Sequence, residues 1–253
     1  MESDEYRKLA EVEDRMWYFR ALHFQIEQAL VATLGRGTAA VRILDVGCGT
    51  GGLIRRLAPR HPAWQWTGID VSPIACGAAR TRTGVEVVEG RVERLPFAGA
   101  TWDAAVAADV LYHVEDDTAA LREIFRVLRP GGVLVANEPA CPWLWSYHDE
   151  AVHARRRYLR RILRDRAVAA GFADPWTSYR NAAALPFMAL RRKLLPRPRA
   201  GSDVRMGPPA VEGAFRLLTA SERIWLGRGG RLPWGSSVFL VARKPGGPEG
   251  LGE

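Results

Sequence analysis

The sequence predicts an α/β protein with a doubly wound, mostly parallel sheet. Three observations carry that prediction. Short apolar runs alternate with helical stretches from Val41 onward. The first run empties into a glycine-rich turn, Gly47-Cys48-Gly49-Thr50-Gly51-Gly52. A helix stop, Arg129-Pro130-Gly131-Gly132, separates a later helical stretch from the next apolar run.

The elements follow in order. Residues 5–34 place Leu9, Val12, Met16, Phe19, Leu22 and Ile26 at three- and four-residue spacing, the period of one helix face. Val41–Val46 is a buried strand, followed by the glycine turn and a helix near Leu53–Leu57. Further strands are Trp64–Ile69, Val85–Val88, Trp102–Ala107 and Val133–Ala136, with a helix over about Ala119–Leu128. A very basic helix, Arg155–Ala170, closes on Gly171. A sixth strand lies near Trp176–Tyr179, and helices follow at Ala183–Leu195 and Ala214–Leu226 around a loop-like Arg199–Gly213. Val238–Ala242 is the last strand, before a tail.

Length and composition bound the function. A chain of 253 residues can bury the core of one large domain. With 47% apolar and 25% charged residues it is neither disordered, collagen-like nor disulfide-stapled. The longest apolar run is about eight residues, short of the roughly 18–20 that span a bilayer. Glu2, Asp4 and Glu5 make the start acidic, unlike a signal peptide. Cys48, Cys76 and Cys141 form no CxxC and cannot all pair, the pattern of a reducing, cytoplasmic setting without a structural metal. The formal charge is +8, and of the 36 basic residues only Lys8, Lys193 and Lys244 are lysines. That excess fits a solvated basic surface or attraction to an anionic partner. Nucleic acid has little support, because the arginine clusters lack interleaved aromatic platforms.

The decisive residue is Asp45. Gly47, Gly49 and Gly52 satisfy the dinucleotide fingerprint GxGxxG, which alone is a weak signal. A dinucleotide would press its pyrophosphate against this turn. Asp45 would then face two phosphates, at about 4 kcal/mol for each like-charge contact near 4 Å and an effective dielectric near 20. A ligand with an ammonium and no phosphate would welcome the carboxylate; S-adenosylmethionine is such a ligand. Asp70, ending the second strand, can accept both ribose hydroxyls or cap the next helix beside Ser72. Val71 can pack on the adenine.

These residues resemble the class I S-adenosylmethionine-dependent methyltransferases. Asp45–Gly51 matches their nucleotide loop and Asp70 their ribose acid; Leu95-Pro96-Phe97, Trp102-Asp103, Leu111-Tyr112-His113-Val114 and Leu128–Leu134 match later blocks. A narrower resemblance, to a broad bacterial subgroup whose substrates are mostly unassigned, rests on Trp17-Tyr18-Phe19-Arg20, Trp145-Ser146, His148-Asp149, Arg156-Arg157-Tyr158, Ser202-Asp203 and Leu232–Ser237. The resemblance implies a Rossmann-like fold with a seven-stranded sheet, the last strand antiparallel, plus a helical substrate cap. It implies S-adenosylmethionine as cofactor, held by Asp45, Gly47, Gly49, Asp70 and Val71, and by Ala108 after the fourth strand. One departure stands out: Glu89-Gly90-Arg91 replaces the usual Gly-Asp, and Arg91 cannot accept from the adenine amino group, although the N–H of Val92 can serve a ring nitrogen.

One domain over 1–253 is therefore expected: a helical lid at 5–34, a core at 41–180, a cap at 181–235, a last strand at 236–244 and a tail at 245–253. Trp17, Tyr18 and Arg20 are expected over the cofactor, with Arg20 near its carboxylate. His113, after the fourth strand, sits at the edge where open α/β sheets bind ligands, as a catalytic group or a packed histidine. His148 is a second catalytic candidate, a base with Asp149 orienting it. Arg155, Arg156 and Arg157 open a helix against its macrodipole, which calls for an acidic partner such as Asp149 or a substrate anion. Leu185–Leu190 followed by Arg191-Arg192-Lys193 covers an apolar acceptor, rests on anionic lipid or simply packs. The expected partner is a small or medium organic acceptor, such as a natural-product intermediate, methylated on oxygen or nitrogen. A lipid-linked acceptor, a nicotinamide oxidoreductase and an adaptor with a relic pocket are the alternatives.

Overall fold

The computed structural model describes residues 3–35, 39–196 and 202–246. The strands are β1 (Val41–Val46), β2 (Trp64–Asp70), β3 (Glu86–Glu89), β4 (Trp102–Ala108), β5 (Leu128–Pro139), β6 (Ala173–Arg180) and β7 (Ser237–Arg243). They form one sheet in the order β3-β2-β1-β4-β5-β7-β6, in which β7 runs antiparallel to both of its neighbours. This is the expected Rossmann-like arrangement. The helices are α1 (Ser3–Val12), α2 (Trp17–Leu34), α3 (Gly52–Leu57), α4 (Pro73–Thr83), α5 (Asp117–Val127), α6 (Tyr147–Ala151), α7 (Arg160–Ala169), α8 (Leu185–Ala189) and α9 (Pro209–Gly227).

Strand alternation divides the core between the two faces of the sheet. Ile43 packs with Leu22, Ile26 and Leu30 of α2 and with Ile54 and Leu57 of α3. Its neighbours Leu44 and Val46 point the other way, into a cluster with Leu121 and Ile124 of α5 and Leu163 of α7. The order of strands reverses between β1 and β4, so their carboxyl ends open a crevice.

Three expectations change. The single helix expected over 5–34 is two, α1 and α2. Between them Glu13 and Asp14 turn aside to ion-pair with Arg82, and Asp14 also takes Arg55 at 2.7 Å. The basic helix starts at Arg160 rather than Arg155. Tyr158 instead runs beside the end of β5, donating its N–H to Pro139 O at 2.7 Å and accepting from Cys141 N at 3.1 Å. The arginines at 155–157 therefore do not face a helix dipole, and each has an acid: Arg155 with Glu115 at 3.7 Å, Arg156 with Asp117 at 2.8 Å, Arg157 with Asp149 at 2.7 Å. The helix expected at Ala183–Leu195 is α8 followed by a π turn over Leu190–Leu194.

Because β6 runs with the parallel strands and β7 against them, the segment 181–235 leaves and re-enters the sheet at the same carboxyl edge. Its α9 packs on α2. Of the loop expected at 199–213, residues 199–201 lie outside the described residues. Ser202 donates to Glu5, Asp203 accepts from Tyr147 at 2.6 Å, and Gly207 N–H donates to Glu212 at 3.1 Å, so the remainder is tied down at several points before α9 begins at Pro209. Among the described residues no helix is long and apolar enough to cross a membrane.

Candidate functional site

The crevice widens into a cavity of about 950 Å³, lined from the ends of β1, β2, β4 and β5, from α1 and α2, and from the segment after β6. That is the upper end of the roughly 300–1,000 Å³ typical of small-molecule sites.

The glycine turn forms its floor. Gly47 has φ +68°, and a Cβ there would stand 2.4 Å from Val110 Cγ2, so no side chain fits. Gly47 and Cys48 both donate their N–H to Ile69 O, at 2.8 and 3.0 Å, which ties the turn to the end of β2. Asp70 then closes it: one carboxylate oxygen accepts from Gly49 N at 2.9 Å, the other from Ser72 N at 2.9 Å. Ser72 itself caps α4 by accepting from Ala75 N at 3.4 Å. The hydroxyl of Tyr6 in α1 reaches Asp70 at 3.5 Å. Asp70 lines the cavity, as do Asp45, Gly49, the exposed Val71, Arg91, Val92 and Ala108. Arg91, expected among the cofactor-binding residues, pairs with Glu93 at 3.0 Å.

The electrostatics of this end are acidic. Asp45 is 3% exposed, and its pKa is pushed up to about 8 by burial and by the charges of Asp70 and Glu13. Burial also raises Asp70 and Glu13. Glu13 accepts from Thr50 Oγ1 at 2.5 Å and pairs with Arg82. A Cβ on Gly52 would meet its carboxyl carbon at 2.4 Å, so the glycine makes room for the acid. Three carboxylates converge where Arg82 pairs directly with only one of them, Glu13, and a cationic ligand relieves what remains. The residues present fit S-adenosylmethionine, whose ammonium and sulfonium are both positive; a pyrophosphate would worsen the repulsion.

At the end of β4, Asp109 holds φ +55°, an unusual geometry for a side-chain-bearing residue. Tyr18 donates its hydroxyl to Asp109 Oδ2 at 2.8 Å, Asn137 Nδ2 donates to Oδ1 at 2.8 Å, and Arg180 Nη1 donates to Asn137 Oδ1 at 2.8 Å. Burial pushes Asp109 up to about 6. Beneath it the wholly buried Glu138 accepts from the N–H groups of Leu111 and Tyr112 at 2.9 and 3.0 Å, which anchors the turn that carries His113. Sequence reasoning missed Glu13, Asp109, Asn137, Glu138 and Arg180. For Asn137-Glu138 a signal existed: two polar residues directly continue the apolar run Val133–Ala136 at a strand's carboxyl end.

The histidines separate into two kinds. His113 lines the cavity, its pKa lowered to about 4 by burial. Its Nδ1 lies 3.4 Å from His153 O; a carbonyl only accepts, so the proton sits on Nδ1 and Nε2 keeps its lone pair. His148 is the reverse. Its Nδ1 accepts from Asp203 N at 3.1 Å, so its neutral ring carries the proton on Nε2. Asp149 does not orient it, because that carboxylate is taken by Ser146 N at 2.9 Å and Arg157 Nε at 2.7 Å. The expected base pair His148-Asp149 is therefore a hydrogen-bond donor beside a structural acid.

Trp17 lines the cavity and stacks on Phe215 at 4.8 Å, and Tyr18 lines it too. Arg20 does not: α2 turns it outward, exposed, on the side of Arg56, and it contributes nothing to the cofactor's surroundings.

The comparisons with known proteins agree with this geometry. Residues 44–136 match the family described as a methyltransferase domain. The O-methyltransferase resE of Aspergillus sclerotiorum is 42% identical over 104 residues, which are 38% of this chain and 39% of that one. The chain thus spans about two fifths of the curated relatives it matches. Among solved structures, the 4+2 cyclase SpnF is 26% identical, with a TM-score of 0.55 over 88% of this chain and 81% of that one. A possible histamine N-methyltransferase from Thermotoga maritima, described as S-adenosylmethionine-dependent, shares the fold at 18% identity, with a TM-score of 0.56 over 95% of each chain. The glycine turn and the acids around it lie in or against the methyltransferase domain that residues 44–136 match, and the sheet order is that of the Rossmann-like methyltransferase fold.

Proposed function

We propose that the protein transfers a methyl group from S-adenosylmethionine to an oxygen or nitrogen of a small or medium organic acceptor. The observation that carries this reading is the polarity of the cavity. Among its lining residues Asp45 feels the charges of Asp70 and Glu13, while His148 and Arg192 are joined through Asp203, with Arg157 held beside them by Asp149. The donor supplies an electrophilic methyl on a sulfonium, and its leaving thioether is neutral, so the chain's own work is binding, orientation and proton removal. Asp45 faces the ammonium, Asp70 the ribose hydroxyls, and Val71 and Val92 the adenine. Trp17 and Tyr18 exclude water from above. His113, neutral at pH 7 with Nε2 free to accept, takes a proton from the acceptor. The O-methyltransferase relative supports oxygen as the acceptor atom.

The likeness to the cyclase SpnF gives a second reading, in which the pocket binds the donor molecule but rearranges its other ligand. One experiment separates them. The purified protein is incubated with S-adenosylmethionine and a panel of phenols, carboxylic acids and amines, and S-adenosylhomocysteine is measured. Acceptor-dependent release supports methyl transfer. Tight S-adenosylmethionine binding with no release across the panel favours the second reading, and NADH binding as tight as S-adenosylmethionine binding removes both.

A further inference from the structure

The far end of the cavity holds polar atoms that the fold leaves unused. Arg192, in the π turn after α8, is 8% exposed, and its side chain is turned inward rather than toward solvent with Leu194. Its Nε donates to Asp203 Oδ2 at 2.9 Å, but among the described residues its Nη1 has no partner. Ser236, 3% exposed, likewise has an unpartnered Oγ. Its position is fixed: its carbonyl accepts from Ala140 N at 2.8 Å, and a Cβ on the adjacent Gly235 would stand 2.1 Å from Arg180 O. Both residues line the cavity, together with His148 and Arg157. A buried N–H left without a partner is unfavourable, and more so on a guanidinium, so native proteins rarely retain one without a use.

These atoms share a chemistry. Arg192 Nη1 is a charged donor. Asp203 N–H fixes His148 as a donor through Nε2. The Ser236 hydroxyl donates freely. Arg157 adds positive charge, its own Nε held by Asp149 at 2.7 Å and its Nη1 by Ala140 O at 2.6 Å. Asp203 and Asp149 hold the two guanidiniums in place through their Nε edges, and of the two residues it is Arg192 whose Nη1 is left for a ligand.

We infer that this end of the cavity binds an oxyanion carried by the acceptor, a carboxylate or a phosphate, through Arg192 Nη1, Ser236 Oγ and His148 Nε2. The assignment of that anion to the acceptor rests on the methyl-transfer reading above. The donor end repels anions, so the two ends sort a cationic donor and an anionic acceptor into their places without exchange.

The test uses calorimetry on the full chain, with benzoate and inorganic phosphate as probes in chloride-free buffer, with and without S-adenosylhomocysteine. The expected result is binding of one probe, which also tells carboxylate from phosphate, weakened tenfold or more in Arg192→Gln and several-fold in Ser236→Ala. Ser236→Ala leaves the Arg192–Asp203 pair intact, so it remains informative if Arg192→Gln folds poorly. Absence of binding by both probes, or equal binding in wild type and Ser236→Ala, overturns the inference. Failure of S-adenosylhomocysteine to bind, with probe binding still dependent on Arg192, strikes the methyl-donor reading and leaves the oxyanion site standing.

Discussion

The carboxylate of Glu212 in α9 accepts a hydrogen bond from the backbone N–H of Trp17, at 2.8 Å and across 195 residues of chain. Residue Met16, which precedes α2, supplies no side-chain cap, so an acid from the distant segment satisfies the helix start instead. The other oxygen of Glu212 accepts from Gly207 N at 3.1 Å, and Phe215, one turn on, stacks against the Trp17 ring. One side chain thus fastens the N-terminal helices to the segment after β6, directly above the cavity.

Replacing Glu212 with alanine leaves two largely buried N–H groups without partners. We expect a loss of about 1–3 kcal/mol in urea unfolding. Glu212→Gln, which keeps one acceptor oxygen, should lose less. Equal stability of Glu212→Ala and wild type would show that water replaces the carboxylate at no cost.

Asp45 should make the ligand-free protein less stable as the pH rises. Its folded-state pKa, about 8, lies above the ordinary carboxylate value, so it has no effect at pH values below the unfolded pKa. The destabilisation grows as the pH climbs from about 4 through 8, where the buried group is forced to ionise. Asp45→Asn should therefore melt higher than wild type at pH 8, by about 1 kcal/mol or more, and match it near pH 4. The same substitution should cost about 1.5–3 kcal/mol of S-adenosylmethionine affinity. Thermal melts at the two pH values and calorimetry check both halves.

Asp70→Ala should weaken S-adenosylmethionine by about 1–3 kcal/mol, two hydrogen bonds' worth. The substitution also frees Gly49 N and Ser72 N, so adenosine, which has the ribose but no ammonium, should weaken in parallel. Unchanged adenosine affinity would remove Asp70 from the ribose.

His113 and His148 should part company in kinetics. His113→Gln should lower kcat about 100-fold or more with an acceptor that must lose a proton. Because His113 titrates near 4, its limb of the pH–rate profile should lie below pH 5, leaving the rate independent of it between 5 and 8. His148→Gln should raise KM for an anionic acceptor and change kcat little. A His148 variant with the larger kcat defect would reverse the roles.

The glycine turn and its acids were legible in sequence because their requirements are local. Asp45, Gly47 and Gly49 lie on one turn, and Asp70 ends the neighbouring strand, so spacing alone announces them. Glu13 was hidden because its role needs Thr50 and Arg82, brought to it only by the folded chain. The helix break beside it was hidden for the same reason, since the apolar period runs straight through it. Arg192 read as one of three surface cations after an apolar helix; a π turn, invisible to a 3.6-residue period, swings it inward. His148-Asp149 misled because neighbours in sequence on a short helix point to different partners.

The antiparallel course of β7 has a consequence for change over time. Arg180 at the end of β6 sits opposite Ser237 at the start of β7, so everything between them enters and leaves through a gap one ladder rung wide. Closing that gap costs entropy only as the logarithm of the segment's length, about 0.6 kcal/mol for each doubling. The sheet is nearly indifferent to how much chain hangs there. Insertions between Asn181 and Gly235 that keep Glu212 and Phe215 in place should therefore leave the sheet intact, so the segment is the natural place for laboratory evolution to start.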